Sequence, residues 1–213
     1  MGRRKKEPPN IHRENIASSA HKLFMSKGIA CTTMNDIAKE SGYSKATLYV
    51  YFKDKEEIIA FLVLKSMTKL DGYITLALEN KKSSKDRYDM ICQGLLDYQE
   101  QYPFYFSIAL DEINIDFNNS DYLPEERETY RVGEEINKKL HQFIQEGILA
   151  NELKPDIKIL PAIMAFWGML SGLIQMSVKK EIYITQELKM SRAEFLKYGF
   201  ETLYQSIAAE ERE

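Results

Sequence analysis

The residues with most to offer chemically lie between Thr33 and Lys55, in the run TMNDIAKESGYSKATLYVYFKDK. Thr33 stands three residues before Asp36, the spacing of a capping box with a carboxylate where Glu or Gln is usual. The Thr33 hydroxyl, at the positive end of the helix that follows, can donate to a phosphate oxygen. Met34, Ile37 and Ala38 share one helical face. Ser41-Gly42 ends that helix, the glycine supplying the backbone freedom of a tight turn. Tyr43 falls in the turn, within reach of a nucleic-acid backbone. Ser44 can cap a second short helix with Thr47 three residues on, and Asp54 with Glu57 repeats the spacing for a third. Helix, glycine turn, helix is the layout of a DNA-reading helix-turn-helix.

Such side chains need rigid mounts, and one mount is locally ambiguous. Leu48-Tyr49-Val50-Tyr51-Phe52 is β-branched and aromatic, and taken alone it scores as a strand. Five residues are too few for periodicity to decide. The caps on either side favour a helix over about 45–51, with Leu48 and Phe52 as its core anchors. Ahead of it, Ile16, Ala20, Leu23 and Phe24 recur at helical spacing from Asn10 to the stop at Gly28, and a second helix covers about 34–41.

The order Thr33, Ile37-Ala38, Gly42-Tyr43-Ser44, Thr47-Leu48-Tyr49, Tyr51-Phe52 and Lys55-Glu56 closely resembles the N-terminal signature of the TetR family of bacterial transcription regulators. The resemblance covers roughly residues 10–65. Beyond them the chain is similar only in length and helical character. It implies that Ser44, Lys45, Thr47 and Tyr49 face DNA, Tyr49 on phosphate, and that Lys55 also meets phosphate. Lys45 is the best base reader among them, because an ammonium can donate to guanine O6 and N7. The resemblance further implies pairing through the last two helices as a four-helix bundle, and a small-molecule pocket in the body.

Bulk properties agree with a DNA-binding head on a different kind of body. The chain has 213 residues, 44% hydrophobic and 29% charged, enough for one or two domains with a real core. Its net charge of −3 excludes a wholly basic nucleic-acid binder. Residues 1–60 hold 11 Lys and Arg against 7 Asp and Glu, and the remainder holds 18 against 25. Arg3 and Arg4 belong to a basic, Pro-ended arm over 1–9, of the kind that lies on phosphates or in the minor groove. Cys31 and Cys92 form no CxxC, and His12, His21 and His141 have no metal-ligand spacing, so a reducing compartment with no metal and no cofactor is expected. No secretory signal is read after Gly2, and the apolar run Ile159–Ile174 is short for a span and holds Pro161, so it reads as a buried helix. Cytoplasmic, nucleoid-associated and without membrane contact is the expected setting.

The expected fold is all-α, with about nine helices. The arm over 1–9 leads to a helix-turn-helix domain over 10–53, a connector helix over 54–79, and a ligand-binding and dimerisation domain over 80–213. In that last domain the chain reads as helices near 86–101, 104–115, 125–147, 156–180 and 191–209, with an irregular link at 181–190.

Two sets of body residues are candidates. Tyr98, Phe106, Met164 and Trp167 can line a pocket or simply form core. Asp111 and Glu112 either favour a cationic ligand or are solvated, so the expected ligand is small and hydrophobic or cationic. Gly168 and Gly172 admit a close helix, either a second copy's or the chain's own, with Phe195 and Tyr198 on the partner face. The leading expectation is a homodimeric regulator, a repressor by family habit, that binds a palindromic double-stranded operator and is released by a small molecule. A DNA-binding protein without an inducer, controlled by a protein partner, is the rival. An all-helical enzyme is the weakest reading, because no Ser/His/Asp or Cys/His set, Gly-rich phosphate loop or H-E-x-x-H motif can be argued.

Overall fold

The structure, a computed structural model, describes residues 8–79, 83–109 and 122–210. Ten helices stand in order among them: α1 Pro9–Lys27, α2 Met34–Ser41, α3 Lys45–Tyr51, α4 Lys55–Leu78, α5 Ser84–Gln101, α6 Pro103–Ile108, α7 Pro124–Leu149, α8 Ile159–Lys179, α9 Glu181–Gln186 and α10 Arg192–Gln205. Extended pairing among the described residues amounts to one isolated bridge, Leu153 with Ala208. The chain is all-α. The helix added to the expected nine is α9, in the stretch read as an irregular link. One side chain accounts for it: Ile184 is buried, and its N–H donates to the Lys180 carbonyl at 2.9 Å.

The chain forms two compact units, one within Met1–Ser66 and Glu112–Tyr130, the other within Met67–Asp111 and Arg131–Glu213. The first unit takes in the start of α4, beyond the boundary expected at residue 53, because Ile58 and Leu62 belong to its buried set. α1 contributes Ile16, Ala17, Ala20 and Phe24 to that core, and α2 contributes Ile37 and Ala38. Leu23 is only half-buried.

The strand-like run is helical, for a reason visible in burial. Leu48 and Phe52 are both buried and lie four apart, one helical turn. Val50, which a strand would place on their side, is 77% exposed.

In the second unit α5 brings Tyr88, Ile91, Cys92, Leu95 and Tyr98 inside. The Tyr88 hydroxyl donates to the Phe200 carbonyl of α10 at 2.9 Å. α8 and α10 approach closely at Gly199, where a Cβ would collide with Leu173. The expectation that the apolar helix near 159–174 is buried needs correcting. α8 buries Ile163, Leu170, Ser171, Ile174 and Ser177 on one side, while Leu160, Met164, Gly168, Met169, Gly172 and Met176 are exposed. Only 17% of its most apolar window is buried, and by length and composition alone the helix could cross a membrane.

Candidate nucleic-acid interface

α2 starts from a closed ring of hydrogen bonds. The Asp36 N–H donates to Thr33 Oγ1 at 3.2 Å, and Asp36 Oδ2 accepts the Thr33 N–H at 2.9 Å and the Thr33 hydroxyl at 2.7 Å. Lys27 pairs with the same carboxylate at 2.7 Å. Lys27, then the Thr33 hydroxyl and N–H, hold the Asp36 carboxyl well below the usual carboxylate range. Thr33 is exposed, but its hydroxyl proton is already directed to Asp36 in this arrangement.

Gly42 closes α2 in the left-handed region at φ 72 and ψ 13, and the Tyr43 N–H reaches back to the Ala38 carbonyl at 3.1 Å. Ser44 then caps α3, accepting the Thr47 N–H at 3.1 Å, while the Ser44 and Thr47 hydroxyls lie 2.8 Å apart. Since two hydroxyls share one hydrogen bond, one proton of this pair stays available to a ligand.

With α3 anchored by Leu48 and Phe52, its opposite face carries Lys45, Ala46, Tyr49 and Val50, all exposed. They recur at i, i+1, i+4 and i+5, the spacing of one helical face. The Lys45 ammonium stands 6.0 Å from the centre of the Tyr49 ring. A compact cation, an amphipathic ring and a small apolar side chain on a seven-residue helix form a surface that fits base edges and phosphates of a major groove. Val50 adds an exposed apolar side chain to that face, which a search for polar and charged residues passes over.

Two expected contact residues are turned elsewhere. Lys55 donates to the Ile29 and Thr32 carbonyls at 3.0 and 3.2 Å, closing the connection from α1 to α2. Tyr43 is half-buried, and its hydroxyl lies 2.7 Å from His12 Nδ1. The imidazole also stacks on Tyr51, ring centres 4.9 Å apart. Arg3 and Arg4 lie outside the described residues.

Two residues of α1 carry structural roles with no local sequence signal. Besides His12, Arg13 donates through Nη2 to Glu57 at 3.0 Å and to Glu125 at 2.8 Å. Its guanidinium carbon sits 4.4 Å from the centre of the Phe52 ring. These contacts join residues 31 to 112 positions apart, beyond any spacing rule.

In the second unit, Tyr98, Phe106 and Trp167 meet around a cavity of about 10 Å³ that Leu70, Leu95, Ala109 and Ser171 complete. Met164 does not join them and stays 63% exposed. A second cleft, about 50 Å³, opens between α7 and α8 over α5. Leu140, Phe143, Ile144, Ile163, Phe166 and Trp167 are among its walls, and none of the described residues that line it is charged. A larger groove of about 540 Å³ runs between α5 and α10. Most of its charges are paired: Lys85 with Asp89 and Glu201, Arg192 with Glu100, while Lys197 also lines it. Asp111 and Glu112 lie outside the described residues. Gly168 and Gly172 face open space, Tyr198 is exposed and Phe195 is half-buried. No cluster of three or more His, Cys, Asp or Glu placed to hold a metal occurs among the described residues.

Comparison with known proteins meets the chain at this surface. Residues 16–61 match the family described as bacterial regulatory proteins, tetR family. An HTH-type transcriptional regulator of Staphylococcus aureus (strain USA300) is 36% identical over 91 residues, 43% of this chain and 47% of that protein. The chain thus spans about half the length of the curated relatives it matches. Among solved structures, the TetR family transcriptional regulator PfmR of Thermus thermophilus is similar at TM-score 0.67 and 23% identity, covering 94% of this chain and 98% of that one. FadR of Bacillus subtilis, solved in complex with stearoyl-CoA, is similar at TM-score 0.68 and 18% identity, covering 91% and 98%. At these identities the structures share the fold.

Proposed function

We propose that the chain, whose residues 16–61 match the tetR family of bacterial regulatory proteins, is a homodimeric repressor of that family that binds a palindromic operator and is released by a small molecule. The exposed face of α3, with Lys45, Tyr49 and Val50 set opposite Leu48 and Phe52, carries this reading. Lys45 donates to base edges, Tyr49 and the Ser44–Thr47 hydroxyl pair donate to phosphate, and the basic arm with Arg3 and Arg4 adds sequence-independent affinity. Thr33 reaches the phosphates only by exchanging a partner inside the protein for one on DNA, whereas Tyr43 stays engaged with His12. Lys55 acts through the loop it closes.

A seven-residue helix touches few bases, so two copies on half-sites ~34 Å apart or a multiple of it are needed for useful affinity. The exposed apolar side of α8 supports pairing through that face. Gly168 and Gly172 admit a partner helix, and Tyr198 lies one residue from Gly199, where α10 meets α8. A contiguous apolar face of this length is rarely left to solvent.

The inducer enters the apolar body, at Tyr98, Phe106 and Trp167 and the adjoining cleft. The cleft's charge-free lining favours the hydrophobic over the cationic class, since a buried cation would find no counter-charge there. The stearoyl-CoA bound to FadR of Bacillus subtilis, apolar in its acyl chain and anionic in its CoA part, supports a ligand with a long apolar portion in a fold of this kind. Release follows from linkage. A ligand that prefers a body shape with misplaced α3 helices weakens operator binding, and operator weakens ligand binding by the same factor, typically ~5–150-fold. The 24-residue α4, running from the head into the body, is the lever. A cytoplasmic, nucleoid-bound location goes with this activity, which involves no catalysis and no cofactor.

Selection of operator from random duplex DNA with purified protein tests the reading. A palindrome bound by a dimer in sedimentation is the expected result, and recovery of no sequence preference would refute it. Lys45→Ala and Tyr49→Ala should abolish preference for that operator in gel-shift titration with the helical spectrum unchanged. The rival, control by a protein partner without an inducer, predicts no thermal shift with any hydrophobic or cationic compound.

A further inference from the structure

α3 is a short helix with little to fix its roll. It is seven residues long and Leu48 is its one fully buried side chain, with Phe52 just beyond its end. One residue of α1 touches the chain at both ends of it. His12 Nδ1 lies 2.7 Å from the hydroxyl of Tyr43, which directly precedes the Ser44 cap. Its ring stacks on Tyr51, the last residue of α3, at 4.9 Å between centres and 29° between planes. Tyr43 and Tyr51 pack edge to face at 6.4 Å. All three side chains are half-buried. A rotation of α3 about its axis would have to break the hydrogen bond or the stack, whichever way it turned.

We propose that His12 is a positioning residue for operator reading, which sets the roll of α3, and hence the aim of Lys45 and Tyr49, by clasping Tyr43 and Tyr51. This rests on reading α3 as the operator-reading helix, and adds a determinant of specificity that lies on α1, outside the α2–turn–α3 motif. Base contacts tolerate little misplacement, because a hydrogen bond fails within a few tenths of an ångström and a few tens of degrees. Phosphate attraction is long-ranged and forgiving. The signature of His12 is therefore a loss of discrimination between sequences, not of DNA affinity in general. Asn is the fitting substitute at this position. Its amide reaches about as far as Nδ1 and can either donate or accept, so it serves whichever imidazole tautomer is present.

The test uses the full-length dimer, the operator recovered by selection, and a scrambled duplex of equal length. His12→Ala should weaken operator binding by about fivefold per half-site, roughly 25-fold for the dimer, the scale of one lost hydrogen bond per half-site. Binding to the scrambled duplex should change less than about twofold. His12→Asn should recover most of the loss. Tyr43→Phe, which removes a single oxygen, should match His12→Ala, and the double variant should be no worse than either single one. Should His12→Ala fold poorly, Tyr43→Phe and the Asn variant decide the matter. Wild-type-like operator affinity in either His12→Ala or Tyr43→Phe, equal losses on operator and scrambled duplex, or additive losses in the double variant would each overturn the positioning role. A wild-type protein with no preference for operator over scrambled DNA would instead sink the operator reading itself.

Discussion

Replacing Arg13 with Met should destabilise the first unit on the scale of truncating one of its core side chains. The guanidinium serves two carboxylates through one nitrogen, Glu57 at 3.0 Å and Glu125 at 2.8 Å, and covers the Phe52 ring. Glu125 opens α7 and is only 8% exposed. Removing Arg13 leaves that carboxylate nearly buried without a counter-charge, a situation that costs about 3–5 kcal/mol when both partners are fully buried. Here the Arg13 side chain keeps 25% of its surface in water, so solvent screening lowers the figure. The lost contact with Phe52 adds about 0.5–1 kcal/mol. A net loss of roughly 2–4 kcal/mol is expected. Glu125→Gln removes the charge but keeps a polar acceptor, and should cost about 1–2 kcal/mol. The double variant should lose less than the two singles together, by about 1–3 kcal/mol, because the stranded charge no longer exists. Hydrogen exchange of α1 amides during urea titration is the suitable assay, since the chain forms two units and a single global midpoint would average them. An Arg13→Met protein within about 0.5 kcal/mol of wild type, or strictly additive variants, would refute the idea that this cation holds α1, α4 and α7 together.

The other expectations concern separate parts of the molecule. Gly72→Ala on α4 meets nothing and should raise stability by about 0.5–1 kcal/mol in thermal melts, whereas Gly199→Ala should gain less than Gly72→Ala, because its Cβ would force the Leu173 side chain to shift. Of the two cysteines, Cys31 is exposed and Cys92 is buried, burial pushing the Cys92 thiol up to about 12. A thiol reagent at pH 8 should therefore label one cysteine quickly and the second only on unfolding, and fast labelling of both would contradict the packing around α5. Asp36 should stay ionised to well below ~3.9, the ordinary value for Asp. Because its folded value is depressed, the support it lends to α2 is present above the unfolded value and is lost only as pH falls through the folded one. Carboxyl carbon NMR showing an ordinary Asp36 titration would remove the Lys27–Thr33 ring as the cause.

What the sequence determined by itself was governed by near neighbours. The caps at Thr33 and Ser44, the turn at Gly42 and the inward pair Leu48 and Phe52 follow from spacings of three and four residues, and all are present. The Asp54–Glu57 spacing held only in part, since the Glu57 carboxylate accepts from the Lys53 N–H. Tertiary structure alone decided how each polar group is spent. Lys55 looks like a free cation in sequence but closes a loop through the Ile29 and Thr32 carbonyls. His12, without any metal-ligand spacing, proves to be the partner of Tyr43 and Tyr51. Arg13 meets a carboxylate 112 residues away. The same limit separated Gly199, which admits a helix of its own chain, from Gly168 and Gly172, which face open space. A glycine reads the same in either setting. Local free energies are written in adjacent residues, whereas the choice of a distant partner depends on how helices pack, and the packing exists only once the whole chain has folded.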